Sequence, residues 1–279
     1  MGLAALARPF IVCVLTDRTI DAAVATMRLA RLDGADAYEL NLPLLQDGSS
    51  ERLRALFTSA ARPVYTSCRR RAFLRVYGAD PDQLPLWDDT ERMARQLAAL
   101  QLGSVAIDME LDCFDPRPAP PLGTAEAAQI ADLPGPPFEL TDDPGAVTRQ
   151  QQIVATAHAA GGEVILSCHT GRPQCSTDLV RIAWVAAARG ADLVKIVTPC
   201  PQMRDLLDLF EATARLRIEL PIPFTLVGAA ACGSLSRTIG PTLGSGWVLA
   251  QQTFVSGGFH EQPLVAQARE ILRLIPWRY

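Results

Sequence analysis

The chain contains a single lysine, Lys195, inside the apolar stretch "RGADLVKIVT" (189–198), while arginine fills every other strongly basic position. Burial penalises the charged form of an amine, so a lysine pointing into an apolar interior keeps more free base. A free amine attacks carbonyls and gives a protonated imine, an electron sink beside the former carbonyl carbon. Arginine cannot form that bond. Two other residues suit the same chemistry. His169 closes the run "EVILSCH" and can move a proton at the activated carbon. Arg237, in "CGSLSR", can hold a carboxylate through paired hydrogen bonds. Taken singly, a strand lysine snorkels to a rim or meets a carboxylate, and a lone histidine is a satisfied core residue. Amine, imidazole and guanidinium on three consecutive strand-like runs point instead to imine chemistry on a keto acid.

The elements that must position them recur along the chain. "MRLARLDGADAYELNL" (27–42), "ARQLAALQLGSVAIDMEL" (94–111) and "WVAAARGADLVKIVT" (184–198) align on a glycine between a helix-patterned stretch and an apolar run. Strands are predicted at 9–16, 36–42, 62–68, 104–112, 163–169, 191–198, 223–229 and 246–253. Helices are predicted at 20–32, 49–60, 88–101, 146–160, 175–189, 201–216 and 263–274, with a short one near 234–240. Eight βα units in 279 residues indicate an α/β fold, a single-domain (β/α)8 TIM barrel spanning 1–279. An open doubly wound sheet is the alternative, but no GxGxxG follows the first strand. The Pro-dense segment 114–145 breaks the rhythm after strand four and is not expected to form regular helix or central strand. It reads as a surface insertion, with an active-site lid as the other reading.

A net charge of −4 and a pI near 5.5 give no footprint for nucleic acid, and the cluster Arg69–Arg71 reads as a solvated loop or an anion contact. The seven cysteines form no CxxC pair or metal spacing, so reduced core thiols and no metal are expected. The apolar run 10–15 is too short for a signal core, Leu6 breaks a myristoylation pattern, and no run of 18 apolar residues suggests a membrane span. A cytoplasmic protein is expected.

In a barrel, polar residues at the C-terminal strand ends carry chemistry. Besides the three above, these are Glu39 and Asn41 on strand two, Thr66 and Arg69 after strand three, Asp108 and Glu110 on strand four, and Ser236 after strand seven. "VILSCHTGRP", "GADLVKIVT" and "CGSLSRTIGPTLGS", with "VAIDMEL" and "DAYELNL", resemble segments of the type I 3-dehydroquinate dehydratases. The likeness runs in order across nearly the whole chain and is strongest from 163 to 245. It implies a TIM barrel that dehydrates 3-dehydroquinate to 3-dehydroshikimate in the shikimate pathway of aromatic amino-acid biosynthesis, without metal or cofactor. Lys195 would form the imine, His169 would act as general base and then acid, Arg237 would bind the carboxylate, and Glu39 would meet substrate hydroxyls. The resemblance also implies a homodimer, which nothing in the residues demands.

The chain departs from the family pattern at several places. Asn41 stands where the family has a substrate-contacting Arg, and Arg69 comes one place late. The Glu-Gly-Gly that follows, whose Glu orients the catalytic His, is absent. Glu110 on the neighbouring strand is expected to take over as the partner of His169. In the last loop, "SGGFHEQP", Ser256 matches, Gln262 comes two residues late and His260 occupies its slot. Substrate contacts are therefore expected from Glu39, Asn41, Arg69, Arg237, Ser256 and Gln262. Alternative readings are an imine-forming enzyme for a related cyclic keto acid, a class I aldolase, or a non-catalytic barrel that binds a metabolite of the pathway.

Overall fold

The computed structural model describes residues 2–254 and 261–275. Strands and helices alternate from the start: β1 (Phe10–Leu15), α1 (Ile20–Leu32), β2 (Ala37–Asn41), α2 (Ser50–Ser59), β3 (Val64–Ser67), α3 (Asp89–Leu102) and β4 (Ala106–Glu110). The second half continues with α4 (Ala125–Ile130), α5 (Pro144–Ala159), β5 (Glu163–His169), α6 (Ser176–Ala188), β6 (Leu193–Pro199), α7 (Met203–Glu219), β7 (Phe224–Ala229), α8 (Ser234–Leu243), β8 (Trp247–Ala250) and α9 (Val265–Leu274). The predicted elements all form, and most boundaries move by one to three residues at either end. Among the described residues, α4 is the α-helix that was not expected. It occupies the proline-free "AEAAQI" inside the 114–145 insertion, capped by the Thr124 hydroxyl. No helix among the described residues is long and apolar enough to cross a membrane.

All the strand pairs are parallel, in the order β7-β6-β5-β4-β3-β2-β1-β8. This is a TIM barrel. Each strand serves two environments because side chains alternate across it. On β4, Ile107 and Met109 join the core beneath the helices, as do Val194 and Ile196 on β6. Their neighbours turn inward. The lower interior is apolar, packed by Phe10, Val12, Ile165, Leu193 and Trp247, with the Phe10 and Trp247 rings stacked at 5.6 Å. Higher up, the inward positions become Glu39, Asp108, Ser167 and Lys195, all buried. A dry plug below thus supports a polar mouth above. The three glycines on which the repeats align, Gly34, Gly103 and Gly190, all take positive φ (103°, 121°, 95°), so each ends a helix in a conformation costly for other residues.

The barrel closes differently at one seam. Between β7 and β8 the backbone contributes Gly246 N–H to Phe224 O at 2.6 Å. Side chains complete the closure: Thr225 Oγ1 donates to Trp247 O at 2.8 Å, and Ser245 Oγ, 2.8 Å from Thr225 Oγ1, accepts from Leu226 N–H at 3.2 Å. Removing the Ser245 hydroxyl strands a buried amide, which costs about 1–3 kcal/mol. Ser245→Ala should therefore lower the unfolding free energy by that amount, read as a lower denaturant midpoint. Thr238→Ala, whose hydroxyl bonds Leu235 O near the surface, should stay within about 0.5 kcal/mol of the parent. Equal midpoints for the two variants would show that the seam does not depend on this hydroxyl.

Candidate active site

Lys195 lies midway along β6, only 2% exposed. Strand register sets Ser167 of β5 on one side and Thr225 of β7 on the other, and His169 lies one inward position above Ser167. The amine is not in apolar surroundings. Its Nζ is 2.5 Å from Asp108 Oδ2 and 3.9 Å from Glu39 Oε2. The expectation of a desolvated, unpartnered amine is corrected: the mouth of the barrel gives Lys195 a carboxylate. Burial alone would push the Asp108 carboxyl up, but Arg69 and Lys195 outweigh it and hold the group below its ordinary value. Glu39 is fixed by the Tyr65 hydroxyl, which donates to its Oε2 at 2.7 Å.

His169 ends β5 and is almost wholly covered. Its Nδ1 is 2.6 Å from Glu139 Oε2, and the same oxygen accepts the His169 backbone N–H at 2.8 Å. Glu139 N–H returns a bond to His169 O at 3.3 Å. An ionised carboxylate against Nδ1 calls for an N–H there, which leaves Nε2 as the nitrogen able to take up a proton. Burial pushes Glu139 up, but His169 and Arg69 bring it below its usual range. The Phe73 ring covers the imidazole at 4.9 Å.

This overturns the expected partner. Glu110 does not reach His169. Both of its oxygens accept from Arg92 Nη2, Cys113 Sγ is 3.4 Å away, and Arg69 Nη1 lies at 3.3 Å. Despite burial, these cations hold Glu110 well below its ordinary range. The partner comes instead from the insertion. Phe138 N–H donates to Thr170 O, Thr141 N–H to Leu111 O, and Leu140 bridges to Leu111, so 138–141 lies along the ends of β4 and β5. From the other side Arg189 donates to Leu111 O, Thr141 O and Gln150 Oε1. The insertion is neither a plain surface excursion nor remote from the site. The signal that could have found Glu139 is its place between Phe138 and Leu140, an acid within an apolar triplet at the end of a proline-rich loop.

Arg237 sits on the first turn of α8, 8% exposed. The turn before it needs "GSLS". A Cβ on Gly233 would come within 2.6 Å of the Gly228 backbone, and Ser236 Oγ donates to Gly233 O and accepts from Gly228 N–H. Ser236 thus shapes the turn that presents Arg237. Burial lowers Arg237 from its ordinary value to about 10, opposed by Glu261, and its Nε and Nη1 have no hydrogen-bond partner among the described residues.

A cavity at the C-terminal face brings Lys195, His169, Glu39, Arg69, Arg237 and Gln262 together. Phe73 and Tyr77, not singled out from sequence, line it too, with an apolar wall that includes Val197, Val227 and Leu249. Asn41 is not on this wall: its Oδ1 accepts the Arg69 backbone N–H at 3.4 Å. Thr66 is buried on β3 with its hydroxyl unpartnered, away from the cavity. Arg70 turns aside to Asp112 and Asp89. Ser256 and His260 lie outside the described residues.

The comparisons agree with this fold. A 3-dehydroquinate dehydratase of Geobacillus thermodenitrificans is 28% identical over 141 residues, 50% of this chain and 52% of that protein, so the match spans about half the length of that relative. The type I 3-dehydroquinate dehydratase of Clostridium difficile superposes with a TM-score of 0.74 at 18% identity, covering 97% of this chain and 94% of that one. The 3-dehydroquinate dehydratase of Geobacillus kaustophilus gives 0.75 at 16% identity, covering 98% and 95%. The sequence model of the type I 3-dehydroquinases matches residues 11–276, from the first strand through the last helix, and the chain belongs to that family.

Proposed function

We propose that the chain is a lyase that converts 3-dehydroquinate to 3-dehydroshikimate through an imine on Lys195. The observation that supports this best is one cavity holding the sole lysine, a histidine with Nε2 free, and a buried guanidinium with two unused donors. Lys195 Nζ adds to the ketone and water leaves, giving an iminium whose charge stays opposite Asp108 at the floor. His169 Nε2 takes a proton from the adjacent carbon, forming an enamine. The enamine electrons expel the hydroxyl one carbon further on, and His169 returns the proton to it, so it departs as water. A second water hydrolyses the imine, releasing product and amine. Glu139 keeps the imidazole in the tautomer this needs. Arg237, with Nε and Nη1 left without partners among the described residues, would hold the substrate carboxylate. Glu39 and Gln262 are the polar groups left to meet ring hydroxyls. A cytoplasmic location and a homodimer belong to the same reading.

The charge balance separates this from the aldolase reading. Among the described residues, Arg69 and Lys195 in the cavity each face a carboxylate within 4 Å, and Arg237 does not. One such cation suits one carboxylate, not a phosphate dianion.

Borohydride added with 3-dehydroquinate should leave one covalent adduct at Lys195, read by intact mass and peptide mapping, and Lys195→Arg should abolish it together with turnover. If the parent protein yields neither adduct nor product with 3-dehydroquinate but an adduct with another cyclic keto acid, the substrate assignment is wrong. The barrel would then be one that only binds metabolites if no keto acid reacts at all.

Glu139→Gln should lower kcat by at least about tenfold, a part of the ~10²–10⁴-fold that general acid–base catalysis typically contributes, while borohydride trapping persists. Glu110→Gln should act mainly on stability, because it takes from buried Arg92 one of its two carboxylates and leaves it Asp89 alone. If kcat is kept in the Glu139 variant, His169 does not work through this carboxylate.

A further inference from the structure

Arg69 was expected to contact substrate, but its surroundings indicate a different task. The side chain is 3% exposed and ends in the middle of the acidic cluster. Nη2 donates to both Asp108 oxygens at 2.9 Å and to Ser167 Oγ at 3.2 Å, and Ser167 Oγ in turn donates to Asp108 Oδ1 at 2.6 Å. Nη1 lies 3.3 Å from Glu110 and 3.9 Å from Glu139, in ion-pair range of both and hydrogen-bonded to neither. Asp108 is the carboxylate on Lys195 Nζ, and Glu139 is the carboxylate on His169 Nδ1. One planar fork therefore stands between the partner of the amine and the partner of the imidazole.

We infer that Arg69 is a positioning residue that ties the amine half of the site to the imidazole half, so that both catalytic groups depend on one guanidinium. The inference rests on the Lys195–His169 reading of the site. Three features of the chain fit it. The fork reaches three carboxylates at once, which a lysine ammonium at the end of a flexible stem cannot do. Asn41, placed where the family has an arginine, accepts the Arg69 backbone N–H and sets where the side chain starts. Against burial, Arg69 is also among the charges that keep Asp108 and Glu139 ionised.

Substitution by lysine keeps the charge and removes the fork. Arg69→Lys should slow both borohydride-trapped imine formation and kcat by about tenfold or more, with KM within about threefold of the parent. A raised KM with kcat and trapping rate kept would make Arg69 a substrate contact and overturn the inference. Should Arg69→Lys not fold, Asp108→Asn, Glu139→Gln and their double variant test the same link with Arg69 in place. Their effects on kcat should be coupled by at least about threefold, and effects that simply multiply would overturn it. A readout without substrate separates this from the function itself. The ring 15N resonances of His169 should shift in Asp108→Asn, although Asp108 does not touch the ring, and an unchanged spectrum counts against the bridge. Absence of adduct and turnover in the parent would remove the dehydratase reading, and the His169 spectrum would still decide the bridge.

Discussion

Charges buried in the mouth of the barrel must compensate one another, and the site takes its shape from that requirement. Glu39, Asp108, Glu110 and Glu139 are all 7% exposed or less, as are Arg69, Arg92 and Lys195. An isolated charge in such a place costs several kcal/mol even after relaxation, so each group must meet an opposite one with its remaining hydrogen bonds filled. Lys195 takes Asp108, Arg92 takes Glu110, His169 takes Glu139, and Arg69 stands among three of the acids. Among the described residues the pairing leaves Arg237 over, with two donors unfilled. An unmatched cation of this kind suits the ligand anion proposed above.

The barrel makes such a cluster affordable by separating support from chemistry along each strand. Outward residues such as Ile107, Met109, Val194 and Ile196 bury apolar surface under the helices, each contributing about 1.5–3 kcal/mol. Inward residues on the same strands carry Asp108, Glu110 and Lys195. The apolar plug beneath, with Trp247 stacked on Phe10, prevents these groups from sinking or meeting water from below. Catalytic side chains therefore start from rigid backbone, and only the insertion and the turns above them are left to vary.

Much of this was legible in the sequence, because periodicity and residue type report local structure. The strand and helix pattern, the aligned glycines, the lone lysine and the histidine on the next strand all follow from short windows. What escaped depends on where a loop runs. Glu139 is 30 residues from His169, at the end of a proline-rich segment whose path no composition fixes. Arg69 looked displaced by one place, yet Tyr65, Ser67 and Arg69 fall two residues apart on the inward side, and Asn41 accepts the Arg69 backbone N–H just past the strand end. Glu110 was a reasonable partner for His169 by strand adjacency, but Arg92, reaching in from α3, takes its carboxylate. The misreadings share one cause: they concern which acid meets which base, and that is settled by side chains arriving from elsewhere.

The two principal departures from the family pattern are then one change seen twice. The segment after β3 lacks an acid for His169, and the insertion supplies one. Arg69 already faces Asp108, Glu110 and Glu139, while Arg92 and Arg70 are engaged by Glu110, Asp89 and Asp112. Freed from supplying the acid, the segment after β3 instead folds into the turn Phe73–Tyr77, whose aromatic rings line the cavity and, through Phe73, cover the imidazole. His169 is thus gripped by the insertion at Nδ1 and met by the tilted Phe73 ring from the β3 side, an arrangement that leaves Nε2 as the nitrogen available to the proposed proton transfer.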